Sequence, residues 1–355
     1  MISIYDFLTA TIFSIILSFI LSYFFIKKNF LLDQINTSGH KKLTIDNLSN
    51  KIALCGGIII FISSIVFFKN ELYLVKIFSF SVLIVGILSD INKLNSPKIR
   101  IILQFFIVTF FLLFYENLAI TDLRIIFINN ILEIKFISTI FTIFCILILM
   151  NGSNFLDGLN TLVIGYYILV LGTTILTSLQ FNLYFDPNIL YLIIFLTVAF
   201  LFNFFNKIYL GDAGSYLISF LSAYFILDFY TKNDSVSPYF VCLLLWYPAF
   251  ENLFSILRRT FFKEKVERAD QDHLHQLIYR FFKNKNYLDK KYTNTSVGVL
   301  INIFNFSIFI VTYRYYNFTT NIVLIIFFNI SIYLLLYFFL KKKLSHYKKY
   351  LKIHK

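Results

Sequence analysis

The sequence predicts an all-α integral membrane protein with about eleven transmembrane helices, its N-terminus outside and its C-terminus inside. Hydrophobic residues make up 58% of the 355 residues and charged residues only 14%, whereas a soluble domain carries about 25% charged residues. The 46 Phe and 24 Tyr suit lipid-facing and interfacial positions. The sequence shows no internal repeat. We therefore expect one transmembrane domain over residues 1–340 and a basic cytoplasmic tail over 341–355.

Eleven segments are apolar enough to be membrane helices. Such a helix needs about 20 mostly apolar residues; the second segment is marginal in length and the fifth runs into a polar loop. Asp6 precedes the first apolar run, and Lys27 and Lys28 follow it. We therefore expect an uncleaved first helix with its N-terminus outside. The eleven segments are 4–26, 52–68, 72–89, 98–116, 137–153, 159–179, 188–205, 213–230, 236–257, 293–313 and 320–340.

In this arrangement the positive charges divide unequally between the two sides. Of the 32 Lys and Arg, 26 fall in segments expected inside and six in segments expected outside, which is a strong positive-inside signal. These charges can face anionic lipid headgroups or an anionic substrate, so the high net charge needs no nucleic-acid partner. The three cysteines, Cys55, Cys145 and Cys242, lie far apart in apolar stretches, and we interpret them as packing residues.

The first of four polar clusters on the inner side surrounds Asp90. This residue closes the segment Gly86–Asp90 at the end of one candidate helix, and the segment Ser96–Arg100 begins the next. One interpretation is a polar hairpin with basic residues at the membrane interface, and we favour it for Lys93. The other is a functional carboxylate at Asp90, which the spacing alone does not decide.

The second cluster is the segment Asn151–Asn160. Its Asn154, Asp157 and Asn160 are spaced i, i+3 and i+6. On a helix they would form one polar stripe, and across a helix break they would form a loop rich in hydrogen-bond donors and acceptors. Polar groups at membrane depth are costly unless they are paired or face a water-filled cavity. This segment therefore indicates a site.

The third cluster, Lys207–Ser215, places Asp212 where a helix begins. An aspartate there is well suited to cap the helix N-terminus. Alternatively its carboxylate holds Mg²⁺, while the glycines on either side let phosphate oxygens approach.

The fourth cluster lies in the long loop after Glu251 and contains Arg268, His273 and His275. An ordinary inner loop would carry most of its lysines. The two histidines do not share a helix face, and no further close ligand completes a zinc set. We therefore favour phosphate binding by His and Arg.

Together these clusters offer carboxylates, cations and amides, which suit phosphoryl transfer with Mg²⁺, where positioning and charge neutralisation supply most of the catalysis. The sequence shows neither a Ser-His-Asp order nor a phosphate-binding P-loop. A membrane location implies that one substrate is a lipid phosphate.

In this order, the clusters resemble the motifs of the polyprenyl-phosphate N-acetylhexosamine-1-phosphate transferases, glycosyltransferase family 4. This family shares a fold with the phospho-N-acetylmuramoyl-pentapeptide transferases, and the resemblance spans roughly residues 30–285. The segment Gly86–Arg100 is similar to the family patterns Gly-Leu-Ile-Asp-Asp and Ser-Pro-Lys-x-Arg, and the segment Asn151–Asn160 is similar to Asn-x-x-Asn-Phe-x-Asp-Gly-Leu-Asp. The segment Tyr209–Ser215 is similar to Phe-Met-Gly-Asp-Ala-Gly-Ser, and the segment His273–Gln276 is similar to His-x-His-His. The family's first cytoplasmic loop resembles the part of this chain that carries Asp33, His40, Gly56 and Gly57.

The resemblance implies transfer of a sugar 1-phosphate from a UDP-N-acetylhexosamine to undecaprenyl phosphate, with release of UMP. The product would prime a lipid-linked polysaccharide of the cell envelope, such as lipopolysaccharide. The resemblance further implies a multi-pass protein of the bacterial inner membrane, with its active site on the cytoplasmic side, and leaves a homodimer open.

The resemblance also implies roles for individual residues. Asp212 would hold Mg²⁺, or Mn²⁺ in its place, and Asp90 would lie beside the lipid phosphate and the metal. The other candidates fall into three groups: Asn154 and Asp157 for binding the nucleotide-sugar; Asn160 and Tyr209 near uracil; and His273, His275 and the basic residues Lys98 and Arg268 for the diphosphate or the sugar.

Three positions depart from the family pattern. Ser89 replaces the first aspartate of an adjacent pair, Asn160 replaces a carboxylate expected near uracil, and Gln276 replaces the third histidine. Two alternative hypotheses stay open. One is a catalytically impaired relative that binds UDP-sugar or lipid phosphate. The other is a lipid or solute transporter, which would place polar residues in the middle of several spans and show repeated halves.

Overall fold

The computed structural model describes residues 3–33, 51–261, 272–285, 287 and 290–353. Within these ranges the chain is helical, and its β-structure is limited to two isolated bridges, both involving Ala53. The all-α class is therefore confirmed. The described helices are α1 Ile4–Lys28, α2 Gly56–Phe67, α3 Tyr73–Asp90, α4 Pro97–Phe114, α5 Ile126–Leu132, α6 Lys135–Leu156, α7 Leu162–Phe181, α8 Asn188–Phe204, α9 Gly211–Thr231, α10 Pro238–Leu244, α11 Trp246–Phe261, α12 Leu274–Lys285, α13 Lys290–Thr312 and α14 Thr319–Ile353.

Eight of the described helices are long and apolar enough to cross a membrane: α1, α3, α4, α6, α7, α9, α13 and α14. The bent pair α10 and α11 is a ninth candidate, and α2 and α8 are shorter apolar helices. Each of the eleven predicted segments thus coincides with a helix or with this pair. The count of eleven spans and the orientation of the termini stay predictions.

The predicted single helix over 236–257 is wrong, because α10 and α11 meet at an angle of 77°. Pro248 lies one turn beyond the break and has no N–H to donate to the carbonyl of Leu244. The hydroxyl of Tyr166 donates to that carbonyl instead, at 2.7 Å, and it accepts the backbone N–H of Tyr247 at 3.3 Å. One buried tyrosine of α7 therefore satisfies both backbone groups at the break.

Two polar segments expected outside the membrane helices are helical. Residues 154–156, beyond the predicted end of the fifth segment at 153, are the last part of α6, and α12 lies in the predicted loop between the segments that end at 257 and begin at 293. The basic residues after 340 continue α14 as far as Ile353. Hydropathy detects only the apolar part of a helix, whereas Lys, Asn and Ser can extend it into a polar environment.

Helix α9 lies at the centre of the bundle, and almost all of its residues are buried. Two glycines on neighbouring helices let the backbones approach. A Cβ on Gly57 of α2 would lie 2.6 Å from the Cα of Gly214, and one on Gly86 of α3 would lie 2.2 Å from the Cα of Ala213. Small residues permit such close helix packing in membranes. The motif glycines therefore bring α2 and α3 against the first turn of α9.

Candidate active site

Four helix ends meet at one end of the bundle. The last turn of α3 carries Ser89 and Asp90, the first turn of α4 carries Arg100, the last turns of α6 carry Asn154, and α9 begins at Gly211. The packing of α3 and α6 against α9 brings these residues together, although up to 123 positions separate them along the chain. The polar side chains of three predicted clusters therefore share one site.

Asp90 caps the N-terminus of α9 from another helix. Its Oδ1 accepts the backbone N–H of Asp212 at 2.9 Å and its Oδ2 accepts that of Ala213 at 3.1 Å. The first N–H groups of a helix have no intrahelical acceptor, and a carboxylate there is stabilised by the helix dipole. Gly211 has a φ of +73°, and a Cβ on it would lie 2.6 Å from Asp90 Oδ2. Glycine at 211 is therefore required both by its backbone conformation and by the closeness of this carboxylate.

The carboxylate of Asp212 is held by side chains from three helices. Its Oδ2 accepts hydrogen bonds from Ser89 Oγ at 2.6 Å and from an Arg100 guanidinium nitrogen at 3.0 Å. Its Oδ1 accepts one from Asn154 Nδ2 at 2.8 Å, and Asn154 also lies 3.3 Å from Ser215 Oγ. The predicted residues Asp90, Asn154 and Asp212 therefore meet, with Asp212 at the centre.

A second polar network surrounds the start of α7, where Asn160 lies. The side chain of Asn160 donates to the amide oxygen of Asn206, and its backbone N–H donates to Asn294 Oδ1 at 2.9 Å. The next residue, Thr161, has a φ of +67°, and its N–H donates to Asn203 Oδ1 at 2.6 Å. Asparagines from α8, α13 and the turn after α8 thus fix the position of this buried turn.

The histidine motif begins at the N-terminus of α12 and is buried. His273 Nδ1 lies 2.9 Å from Glu251 Oε1, and the same oxygen accepts the backbone N–H of Leu274 at 3.3 Å. The rings of His273 and His275 stack with centroids 5.5 Å apart. A Cβ on Gly158 would lie 3.2 Å from His275 Nε2, so the turn after α6 packs directly on the motif.

Asp272, just before this motif, forms ion pairs with basic residues of three helices. Its carboxylate lies 3.1 Å from an Arg280 nitrogen, 3.6 Å from one of Arg258 and 3.5 Å from the Lys341 ammonium. Several ion pairs that share one carboxylate hold a segment better than one exposed pair. The basic residues of α11, α12 and α14 therefore anchor the start of α12.

Three further predicted residues belong to the same motifs. Asp157 follows the last turn of α6 and is half-buried, and Lys98 is exposed in the first turn of α4. Tyr209 pairs through its backbone, donating to Ala53 O at 2.9 Å and accepting the Gly56 N–H at 3.0 Å. Two further motif residues, Arg268 and His40, lie outside the described residues.

Sequence reasoning did not identify the contacts of Ser89 and Arg100 with Asp212, or the role of Glu251. The sequence pattern shows Ser89 only as the loss of a carboxylate, whereas in the structure its hydroxyl donates directly to Asp212. Glu251 could have been identified, because a carboxylate inside an apolar span is costly unless it is paired. It is 2% exposed as a side chain.

The fold and this site define an integral membrane protein with a carboxylate-centred polar site at one end of its helix bundle. A family model described as Glycosyl transferase family 4 matches residues 72–230, the stretch that carries Asp90, Asn154 and Asp212. The match lies inside the stretch over which the motifs predicted a resemblance to this family, and that resemblance is confirmed.

The chain is also similar to a protein of Bacillus subtilis (strain 168) named probable undecaprenyl-phosphate N-acetylglucosaminyl 1-phosphate transferase. The two are 22% identical over 236 residues, which cover 64% of this chain and 65% of that relative. The chain thus spans slightly less than two thirds of the relative's length.

Proposed function

We propose that the chain transfers a sugar 1-phosphate of the N-acetylhexosamine type from a UDP-sugar to undecaprenyl phosphate, releasing UMP. The observation that carries this proposal is the cluster around Asp212, where Ser89, Arg100 and Asn154 contact one carboxylate. The product would be a lipid-linked diphosphate sugar that primes a cell-envelope polysaccharide. The name of the Bacillus subtilis relative supports this class of donor and acceptor.

In this reaction an oxygen of the lipid phosphate bonds to the phosphorus that carries the sugar, and the bond from that phosphorus to UMP breaks. A phosphate monoester has a second pKa of about 6, so the attacking oxygen is already ionised at neutral pH. The reaction then needs no carboxylate base, and Ser89 in place of an aspartate is compatible with it. Positioning and charge neutralisation carry the catalysis.

The site residues divide this work by position. We assign the nucleotide-sugar to Asn154 and Asp157, and the uracil edge to Asn160 and Tyr209, because an amide can pair with uracil as a carboxylate can. His273, His275 and Lys98 would contact the diphosphate or the sugar. Arg100 lies beside Asp212, where a guanidinium can bind phosphate oxygens through two donors.

The residues around Asp212 fit a bound Mg²⁺ ion. Mg²⁺ is usually held by one or two carboxylates, several waters and substrate phosphates, and Asp212 has a hydroxyl and an amide beside it. The described ranges contain no group of three or more His, Cys, Asp or Glu side chains that could hold a metal. Asp212 would hold it, with Asp90 close by. When bound, Mg²⁺ would neutralise charge on the diphosphate, and Mn²⁺ could replace it.

The positive-inside signal and the helical topology support an active site on the inner face of a bacterial cytoplasmic membrane. UDP-sugars are water-soluble and the acceptor is a lipid, so the two substrates would meet at the membrane surface. The charged side chains of the site are grouped at helix ends, whereas a transporter would need polar groups along the middle of several spans.

The direct test uses the purified full chain in detergent with undecaprenyl phosphate, Mg²⁺ and a panel of UDP-N-acetylhexosamines. We expect UMP release with at least one donor, and only when undecaprenyl phosphate is present. No UMP release with any donor, while an established family member reacts in parallel, would contradict the transferase proposal.

The serine at position 89, where the family pattern has an aspartate, favours a second candidate function. In this function the chain is a non-catalytic relative that binds a UDP-sugar without transferring the sugar phosphate. Isothermal titration of the same preparation separates the two candidates. Mg²⁺-dependent binding of a UDP-sugar without UMP release would indicate the non-catalytic relative.

A further inference from the structure

Three contacts join the side chains of Arg100, Ser89 and Asp212 pairwise, so that they form a triangle. Asp212 Oδ2 lies 3.0 Å from one guanidinium nitrogen of Arg100 and 2.6 Å from Ser89 Oγ. The same nitrogen of Arg100 donates to Ser89 Oγ at 2.8 Å. The side chains of Arg100 and Asp212 are each 19% exposed, so water screens this ion pair only in part.

This arrangement places a permanent positive charge on the carboxylate that is expected to hold a divalent cation. A guanidinium at hydrogen-bond distance neutralises the carboxylate and repels a second cation at the same oxygens. Arg100 cannot lose its charge by deprotonation. A divalent cation at Asp212 must therefore compete with Arg100.

Ser89 determines what happens to Arg100 during that competition. A carboxylate at position 89 would give the guanidinium a second, permanent ion partner. The hydroxyl accepts a hydrogen bond from Arg100 but carries no charge. The Nε–H of Arg100 is in addition buried and has no acceptor within the described part of the chain, and an unmet buried donor costs free energy. Once Asp212 takes up a cation, Arg100 keeps a neutral acceptor and has a charge and a donor to offer to an anion.

We propose that Arg100 is an exchangeable counter-ion of Asp212. It holds the carboxylate while no divalent cation is bound, and it binds a phosphate oxygen of the substrate when the cation takes its place. Ser89 makes the exchange possible, because it retains Arg100 at the site without neutralising it. The phosphate part of this inference rests on the proposed function, whereas the competition with the cation does not.

The competition is tested by Mn²⁺ binding to the purified full chain without substrate, followed by electron paramagnetic resonance. We expect Arg100→Ala to tighten Mn²⁺ binding at least about tenfold, because the competing charge is gone. Arg100→Lys keeps the charge, so its affinity for Mn²⁺ should stay near that of the wild type. This variant tests the role of the charge even if the alanine variant misfolds. Lys93→Ala is the matched control, since Lys93 is an exposed cation in the connection between α3 and α4. Unchanged or weaker Mn²⁺ binding in Arg100→Ala, or no Mn²⁺ binding by the wild type, overturns the proposal.

The phosphate contact is tested with saturating Mn²⁺ by steady-state kinetics. We expect Arg100→Ala to raise the KM of one of the two phosphate substrates at least about tenfold. Ser89→Asp should tighten Mn²⁺ binding and raise the same KM, because the added carboxylate would retain Arg100 as its partner. An unchanged KM in both variants contradicts the phosphate contact. A wild type that shows the Mn²⁺ competition but releases no UMP would instead refute the proposed function and leave the competition standing.

Discussion

The Arg100–Asp212 ion pair joins α4 to α9, and the contact of Glu251 with His273 joins α11 to the residue before α12, but the surroundings of the two pairs differ. Arg100 and Asp212 are each 19% exposed, whereas His273 and Glu251 are 0% and 2% exposed as side chains. Asp212 is held by side-chain hydrogen bonds from three helices. Glu251, by contrast, also accepts a hydrogen bond from the backbone N–H of Leu274 and so fixes the N-terminus of α12.

Under the proposed function, Asp212 would belong to the reacting centre and Glu251 to its support. A group that must accept a cation or meet a substrate needs some access to water and partners that can exchange. A group that positions others is most effective when it is buried, paired and attached to the backbone. We therefore expect substitutions at the first pair to affect chemistry and metal binding, and those at the second to affect the placement of the histidines.

The largest expected effect is that of Asp212→Asn. The amide keeps the size of the side chain but loses the charge, so we expect UMP release to fall at least about 100-fold while the protein elutes normally on size-exclusion chromatography. The isosteric control is Asp234→Asn, because Asp234 is exposed and lies between α9 and α10. Full activity of the Asp212 variant would refute its assignment as the metal-binding carboxylate.

A smaller loss is expected for Gly86→Ala, which tests whether close packing of α3 on α9 maintains the site. The new Cβ would lie 2.2 Å from the backbone of Ala213, so the helices must separate and move Asp90 away from the α9 N-terminus. Overpacking of this kind costs about 1–3 kcal/mol, and we expect a lower melting temperature together with about tenfold lower activity. Gly172→Ala is the matched control, because a Cβ there meets nothing within 4 Å. Equal stability of the two variants would show that α3 can shift without cost.

Much of the fold follows from patterns that are local in the sequence. Apolar runs located helices at all eleven predicted segments, because length and hydropathy alone define a candidate span. The break at Leu245 was not predicted, since it depends on Tyr166 of another helix to satisfy Leu244. The spacing of Asn154, Asp157 and Asn160 left open whether they lie on a helix or in a loop; α6 continues through Leu156, so Asn154 is helical and Asp157 lies just beyond the helix.

The site was predicted in part, for a related reason. The motifs identified Asp90, Asn154 and Asp212, and the structure brings these three together. The structure also shows Asp90 bonded to the backbone of α9, a contact between residues 122 positions apart that no local pattern contains. Ser89 and Glu251 gained their roles only from tertiary contacts.

The smallest expected effect, Glu251→Gln, tests the supporting pair. One oxygen of Glu251, Oε1, contacts both His273 Nδ1 and the backbone N–H of Leu274. Glutamine keeps an oxygen for both His273 and Leu274 but removes the charge, so we expect kcat/KM to fall only several-fold, with kcat less affected than the KM of the UDP-sugar. Glu251→Ala removes both acceptors, and breaking a buried pair costs about 3–5 kcal/mol, so this variant should also unfold at a lower temperature. Glu133→Gln, an exposed change of the same kind, is the control. If glutamine were as damaging as alanine, the charge of Glu251, rather than its hydrogen bonds, would be what the histidine motif requires.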